Sequence, residues 1–279
     1  MLDVAIVGAG ELGGALAHLL ARREVAAAIK LVDEAGGVAA GKALDIMQSA
    51  PIDGFAARVT GATEAVAAAG ASMVVIADRV SGGEWSGEEG FGLLRRIVSA
   101  GTPLVLCAGA GQREIIERGA RELGLPRARL FGSAPEALAS GVRALVAVES
   151  NGSPRDVALT VLGVPPDRIV VPWEDATIAG MPLVRLLDQA TRRRLENRLP
   201  HLWPPGPLAL AAAAAKAIES VSARSRQIVS AFVAPDDSAG RKMRAAALPA
   251  RLGPTGVTSV DIPPLTPHDR VALETALLL

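Results

Sequence analysis

Apolar positions in the N-terminal half of the chain predict strands and helices in alternation. Apolar runs such as 4–7, 29–32, 72–77 and 104–108 are typical of parallel strands covered on both faces, and short strands are expected at 58–60 and 129–131. Between these runs, apolar residues recur at helical spacing and predict helices such as 91–100 and 112–123. The alternation predicts an α/β fold, a doubly wound parallel sheet of six strands over residues 1–132.

The pattern changes from residue 133 onward. It predicts a long Ala-rich helix from Pro135, antiparallel strands at 157–162 and 168–171, and helices at 183–197 and 208–222. A hairpin-like end over 227–234, 246–252 and 257–262 leads to a last helix, opened by Thr266 as N-cap and Pro267. We therefore expect a mixed α+β second domain over residues 133–279.

A glycine-rich turn follows the first apolar run. Gly8, Gly10 and Gly13 have the G-x-G-x-x-G spacing, in which the first glycine makes the turn, the second admits a pyrophosphate and the third lets helix and strand pack closely. Asp33 ends the next apolar run, 20 residues after Gly13, where a carboxylate can accept from both ribose hydroxyls. This spacing predicts a Rossmann unit that prefers NAD over NADP, and it leaves open whether the unit still holds a nucleotide.

Composition narrows the choice of partners. The chain has 29 basic and 29 acidic residues, so no net charge attracts nucleic acid or an anionic membrane, and small molecules and proteins are the expected partners. The first strand begins close to Met1 and no apolar run reaches the roughly 20 residues of a membrane span, so we expect a soluble, cytoplasmic protein. Cys107 is the only cysteine and lies in an apolar run, which predicts a buried thiol and no cysteine metal cluster.

Several ordered segments resemble the NAD-dependent malate and lactate dehydrogenases, the malate branch in particular. The segment 33–55 contains Gly-Lys-Ala-Leu-Asp and Gln-x-x-Pro-Ile-x-Gly-Phe, and the similarity continues in Leu125-Pro-Arg-x-Arg-Leu-Phe-Gly, Asp156-Val-Ala-Leu-Thr-Val-Leu-Gly and the segment 248–279. The resemblance covers essentially the whole chain. It implies a Rossmann NAD-binding domain, a malate/lactate dehydrogenase-type C-terminal substrate domain and a homo-oligomer, either dimer or tetramer. The cofactor contacts that it implies are Gly8, Gly10, Glu11, Leu12, Gly13, Asp33 and Ala77.

The catalytic side chains of that family have no counterpart here. In the family, a histidine moves the hydroxyl proton, an aspartate orients the histidine, and arginines on a helix and on a closing loop hold the substrate. The matching positions of this chain are occupied by Pro165 for the histidine, Leu138 for the aspartate, Gly141 for the clamping arginine, and Gly82 and Gly87 for the loop arginines. The family's strand-end Asn-Pro falls at Gly109-Ala110. None of these side chains can transfer a proton or bind a carboxylate.

Three residues are considered as substitutes. Asp78 and Arg79 follow the fourth strand, where the family has small residues and where ligands collect in doubly wound sheets. Arg79 can reach a phosphate or block the site, and an ion pair that seals the strand end is the alternative. His201 belongs to the Pro-rich loop near the start of the family's substrate helix, and no acid neighbours it in sequence.

These observations support three hypotheses. The first is a malate dehydrogenase-like, NAD-binding protein that has lost its dehydrogenase activity and acts as a regulatory or structural partner. The second is an active NAD-dependent oxidoreductase that acts on a different hydroxy or keto substrate with substitute residues. The third is an assembly subunit that pairs with a true dehydrogenase as a hetero-oligomer. Since Arg79 replaces a glycine beside the cofactor, we expect NAD(H) to bind more weakly than in an active relative.

Overall fold

The fold was analysed in a computed structural model that describes residues 2–222, 227–234 and 244–278. Its helices are α1 (Glu11–Arg22), α2 (Gly36–Asp53), α3 (Gly87–Ser99), α4 (Arg113–Glu122), α5 (Ala134–Glu149), α6 (Gln189–Arg198), α7 (Pro207–Val221) and α8 (Pro267–Leu278). The strands of the N-terminal half are β1 (Leu2–Val7), β2 (Ala26–Val32), β3 (Arg58–Ala62), β4 (Met73–Ile76), β5 (Asp78–Arg79), β6 (Gly83–Glu84), β7 (Leu104–Cys107) and β8 (Leu130–Gly132). Those of the C-terminal half are β9 (Val157–Ala158), β10 (Leu162–Val164), β11 (Arg168–Val170), β12 (Thr177–Ile178), β13 (Met181–Pro182), β14 (Val229–Val233), β15 (Ala246–Gly253) and β16 (Gly256–Val260).

The predicted parallel sheet is confirmed. Its six strands lie in the order β3-β2-β1-β4-β7-β8, and every neighbouring pair is parallel. The chain winds outward from β1 in one direction to β3 and then returns to β4 on the other side of β1. The order of strands therefore reverses between β1 and β4, which opens a crevice at the carboxyl ends of these two strands.

The second half extends the same sheet with antiparallel strands. β14 pairs with β8, and β15, β10 and β11 follow in that order, with β16 beside β15. The predicted helices from Pro135, over 208–222 and after Thr266 are confirmed as α5, α7 and α8. The Thr266 hydroxyl accepts a hydrogen bond from the amide of Asp269 at 3.1 Å, as its predicted N-cap role requires. The division into domains at residue 132 stays a prediction, because the sheet passes from β8 to β14 without a break.

Two predicted elements of the second half are wrong in extent. The strand expected at 157–162 is split, because β9 pairs with β12 in a small separate sheet whereas β10 pairs with β11 and β15. The helix expected at 183–197 begins only at Gln189, after a single 3₁₀ turn at Leu183–Arg185. The Asp188 carboxylate accepts a hydrogen bond from the amide of Thr191 at 2.7 Å and caps this later start.

A buried carboxylate joins three elements of the C-terminal half. Glu136 on α5 is only 3% exposed, and one of its oxygens accepts hydrogen bonds from Arg143 at 2.8 Å and from Lys216 of α7 at 2.7 Å. Its other oxygen accepts from the backbone amide of Ser230 in β14 at 2.9 Å. One acidic side chain therefore fixes α5, α7 and β14 relative to one another.

Replacement of Glu136 by alanine is expected to lower the free energy of unfolding by about 3–5 kcal/mol, because it leaves two mostly buried cations without their counter-charge. The matched control is Glu149→Gln. Glu149 forms long ion pairs with Arg194 at 3.8 Å and Arg198 at 3.9 Å near the surface, where such pairs contribute about 0–1 kcal/mol. Urea denaturation of both variants measures the two losses. Equal losses would contradict the assigned role of Glu136.

Candidate functional site

A cleft of about 570 Å³ lies beside the ends of β1 and β2, on one side of the crevice that opens between β1 and β4. The cleft is lined by apolar side chains such as Val7, Val32 and Trp85 and by polar ones such as Asp33, Thr63 and Arg96. A concave site at this switch point of a doubly wound sheet is where such folds bind nucleotides.

The predicted glycine turn leads from β1 into α1, and it is closely covered by the residue after β4. Gly8 has φ +116°, a conformation that other residues rarely adopt. The Gly10 amide donates a hydrogen bond to the carbonyl oxygen of Asp78 at 2.9 Å. A Cβ atom added to Gly8 would overlap the backbone of Asp78, and one added to Gly10 would overlap its carboxylate. Both glycines therefore make room for a residue of the same chain.

The carboxylate of Asp78 caps α1. One of its oxygens accepts a hydrogen bond from the amide of Leu12 at 3.1 Å, and the other accepts from the amide of Gly13 at 2.9 Å. Amides in the first turn of a helix have no partner within the helix, and the positive end of the helix dipole favours an anion there. In a dinucleotide-binding turn that anion is the pyrophosphate. Asp78 occupies the amides that the sequence predicts for the pyrophosphate.

Arg79 makes its contacts elsewhere. Its guanidinium donates to the Glu89 carboxylate at 2.8 Å and to the Gly82 carbonyl at 3.2 Å, and it lies 4.7 Å from the centre of the Trp85 ring. The ion pair at this strand end therefore joins Arg79 to Glu89. The residue that covers the glycine turn is Asp78, and the expected effect of Arg79 on cofactor binding stays a prediction.

Asp33 is also held by backbone amides. Its side chain is buried at 5% exposure, and its oxygens accept hydrogen bonds from the amides of Ala9 at 2.9 Å, Ala35 at 2.9 Å and Val80 at 3.1 Å. The bond from Val80 comes from the hairpin formed by β5 and β6. This hairpin therefore contacts both the glycine turn and the acid predicted to bind the ribose.

The second strand of the hairpin ends in another acid, Glu84, which is paired with Asp78. Its carboxylate accepts hydrogen bonds from the amides of Ala110 at 2.9 Å and Gly111 at 2.7 Å, in the short turn after β7. This residue was missed in the sequence. The glycine pair Gly82-Gly83 signals a turn but not its register, since a two-residue loop there would pair Ser81 with Glu84, whereas the structure pairs Asp78 with Glu84.

The remaining residues of the implied cofactor set support the turn or lie beside it. Leu12 is buried, and the Ala77 carbonyl accepts a hydrogen bond from the Gln112 side chain at 3.0 Å. Glu11 is exposed and lines a groove between α1 and α2. The ammonium group of Lys42 donates to the carbonyls of Ala9 and Gly10, each at 2.7 Å, and so fixes the glycine turn from the α2 side.

The buried thiol predicted at the end of β7 is confirmed. Cys107 is 1% exposed. Burial, reinforced by the charge of Glu84, raises the pKa of the Cys107 thiol well above its usual range. The thiol is therefore protonated at neutral pH and is a poor nucleophile.

Apolar packing surrounds several of the positions that the sequence predicts to correspond to the family's catalytic residues. Leu138 is buried at 1% exposure in a cluster with Val142, Val161 and Trp173. Gly141 adjoins Leu202, and Pro165 lies in the connection between β10 and β11. Gly82 is in the hairpin turn and Gly87 begins α3. None of these five side chains carries a titratable or hydrogen-bonding group.

The histidines lie apart from the crevice contacts described above. His201 is exposed in a 3₁₀ turn at Leu199–Leu202, and over the described ranges no carboxylate is within ion-pair distance of its ring. His18 lies 3.3 Å from the Asp53 carboxylate, and this hydrogen bond lowers the pKa of Asp53. His268 lies 3.5 Å from Asp269.

Two kinds of feature are absent from the described residues. In the part of the chain with described coordinates, no helix has the length and apolar character needed to cross a membrane. The same residues contain no group of three or more His, Cys, Asp or Glu side chains arranged to hold a metal ion.

The fold is similar to solved dehydrogenase structures. Malate dehydrogenase from Salinibacter ruber superposes with a TM-score of 0.87 at 24% identity, over 99% of this chain and 94% of that one. Lactate dehydrogenase from Cryptosporidium parvum, complexed with lactic acid and nicotinamide adenine dinucleotide, gives a TM-score of 0.86 at 22% identity, over 99% and 94% of the two chains. At these identities the similarity shows the fold.

Sequence comparison identifies the family. Malate dehydrogenase from Nitrosococcus oceani is 33% identical over 208 residues, which cover 71% of this chain and 67% of that protein. Malate dehydrogenase from Thioalkalivibrio sulfidiphilus is 29% identical over an alignment covering 99% and 96% of the two chains. Residues 2–84 match the family model for the NAD binding domain of lactate/malate dehydrogenase. The chain therefore belongs to the lactate/malate dehydrogenase family, and NAD is the cofactor of the domain that its N-terminal residues form.

Proposed function

We propose that this protein has lost malate and lactate dehydrogenase activity and acts as a nucleotide-linked regulatory or structural partner, that is, as a pseudoenzyme of its family. The observation that carries the proposal is the buried Leu138, in an apolar cluster where the family has the acid that orients the catalytic histidine. Pro165 stands where that histidine would be, and Gly141 where the substrate clamp would be. A cytoplasmic location is part of the same proposal.

The magnitudes of the missing contributions support this reading. A positioned general acid or base accelerates proton transfer by roughly 10²–10⁴-fold, and bound charges that orient and polarise the substrate contribute further factors. Every one of these contributions acts on a small acid through side chains that this chain lacks. Since residues that work as one unit share their losses, the factors do not multiply, but the largest single loss alone brings a rate close to background.

An active oxidoreductase on a different substrate is the second candidate, and His201 favours it. This exposed imidazole is a proton-transferring group without a carboxylate partner among the described residues. Asp78 and Arg79 argue against an active oxidoreductase, because both side chains already have partners. The Asp78 carboxylate is bonded to the α1 amides and the Arg79 guanidinium to Glu89. We therefore rank the non-catalytic role first.

A surface for a partner subunit lies on α2. Leu44 and Ile52 of this helix are 60% and 89% exposed, and apolar side chains on one side of a helix are a surface that another subunit can cover. The residues are eight positions apart and so lie toward the same side of the helix. We propose that this side of α2 contacts a second subunit, either another copy of this chain in a dimer or tetramer, or a true dehydrogenase.

Purified protein is expected to oxidise neither malate nor lactate with NAD, and to reduce neither oxaloacetate nor pyruvate with NADH, at a rate above background. The measurement is the change in NADH absorbance. An Asp33→Asn variant, purified in the same way, controls for contaminating host enzyme, since this change keeps the shape of the side chain and removes the charge predicted to bind the ribose. Malate-dependent NADH formation in the parent that disappears in the variant would show that this chain is catalytic.

Charged residues on the apolar side of α2 are expected to dissociate the assembly. The double variant Leu44→Glu, Ile52→Glu places two charges in the proposed contact, where burial of unpaired charge is strongly unfavourable. Sedimentation equilibrium of the parent should give a mass above that of the monomer, and the double variant should approach the monomer mass. A monomeric parent argues against self-association and leaves the hetero-oligomer to be tested with a true dehydrogenase added. An oligomer of unchanged mass in the variant would exclude this surface.

A further inference from the structure

We call the segment 78–84 the crevice hairpin. It begins and ends with an acidic residue, and both carboxylates accept hydrogen bonds from backbone amides at the start of a helix or in a turn. Asp78 bonds the amides of Leu12 and Gly13, and Glu84 bonds those of Ala110 and Gly111. We propose that the crevice hairpin is a built-in occupant of the nucleotide crevice. In this role the Asp78 carboxylate competes with the pyrophosphate of a dinucleotide and leaves the nucleoside part of the crevice open. This inference does not depend on the proposed loss of dehydrogenase activity.

The competition follows from the number of donors. The amides of Leu12 and Gly13 are both engaged by Asp78, at 3.1 and 2.9 Å, and the Gly10 amide is engaged by the Asp78 carbonyl. A phosphate that approached these groups would find no unused donor among the three. It would also meet a negative charge within a few ångströms, which disfavours a second anion. Pyrophosphate binding to these three amides therefore requires that Asp78 withdraw.

The Asp78 side chain also fills the space that a pyrophosphate would need. A Cβ atom on Gly10 would overlap the Asp78 carboxylate, so this side chain fills the close approach that glycine provides at the turn. In a dinucleotide-binding turn the same space admits the pyrophosphate. The space beside Gly10 cannot hold the Asp78 carboxylate and a pyrophosphate at the same time.

The hairpin is anchored at more than one point. Beside the bonds of Asp78 and Glu84, the amide of Val80 donates to the buried carboxylate of Asp33 at 3.1 Å. The Glu84 carboxylate lies so close to Gly109 that a Cβ atom at that position would overlap it. Only glycine therefore allows this contact. These contacts hold the carboxylate of Asp78 on the amides when no ligand competes.

The nucleoside part of the crevice stays accessible. The cleft of about 570 Å³ is lined by the apolar side chains of Val7, Val32 and Leu93 and by the Trp85 ring. Asp33 uses three acceptor positions for backbone amides, whereas a carboxylate offers about four. The cleft therefore suits a nucleoside, which carries no phosphate and places a hydroxyl near Asp33.

Calorimetric titration of the whole protein with ADP-ribose, NADH and adenosine tests the proposal. Removal of the competing carboxylate in Asp78→Ala is expected to tighten binding of ADP-ribose and NADH about ten- to a hundredfold, the range that one charge-assisted hydrogen bond corresponds to. Adenosine needs none of the three amides, so its dissociation constant should change by less than about twofold.

The matched control is Glu88→Gln. Glu88 is an exposed acid at the start of α3, four residues after Glu84, and it pairs with Arg118 at 2.7 Å. This variant therefore removes one negative charge that has no bond to the glycine turn. Its affinities for all three probes should equal those of the parent. Where Asp78→Ala does not fold by circular dichroism, Asp78→Asn replaces it, because it keeps the shape of the side chain and should show a smaller gain in the same order of ligands.

Three outcomes would overturn the proposal. The first is a variant at Asp78 that is folded and binds ADP-ribose no more tightly than the parent, including the case in which neither binds it at millimolar concentration. The second is an equal gain for adenosine and ADP-ribose. The third is an equal gain in Glu88→Gln. Because no probe is turned over, these results are independent of whether the protein is an enzyme.

Discussion

The amides in the first turn of α1 need an anion, and in this chain the anion belongs to the protein itself. Asp78 supplies a carboxylate to Leu12 and Gly13, which satisfies donors that the helix leaves unbonded and complements its dipole. Several features depend on this contact. Gly8 and Gly10 must lack side chains so that Asp78 can approach, and the crevice hairpin must leave β4 at an angle that brings Val80 to Asp33.

The fold and the chemistry of this family rest on different residues, so the proposed loss of activity is compatible with an intact fold. The sheet depends on buried apolar strands, on the glycine turn and on the Glu136 cluster, and all of these are present. The catalytic positions lie outside that framework. Replacement of a buried charged group by a well-packed apolar one is often neutral or stabilising, so Leu138 can substitute for an acid at no cost to the fold.

The sequence predicts much of the N-terminal half because its signals are strong. Fully buried parallel strands appear as apolar runs, and the spacing of Gly8, Gly10, Gly13 and Asp33 is specific to one turn. The bonding of Asp78 and Arg79 was not predictable in the same way, since β5 and β6 have two residues each and show no periodicity. Hydrophobic periodicity predicts which positions are buried, but it does not predict which backbone amides a carboxylate will bond. The burial of Glu136 among two cations was hidden for the same reason.

The most direct measurement is the amide NMR spectrum of the unliganded protein. If the Asp78 carboxylate bonds the amides of Leu12 and Gly13, their ¹⁵N–¹H resonances should shift strongly in Asp78→Asn and hardly at all in Glu88→Gln. Addition of millimolar inorganic phosphate should leave these two resonances unchanged in the parent and move them in Asp78→Asn. Resonances that are the same in the parent and in Asp78→Asn, and that already respond to phosphate in the parent, would contradict an internal anion at the start of α1.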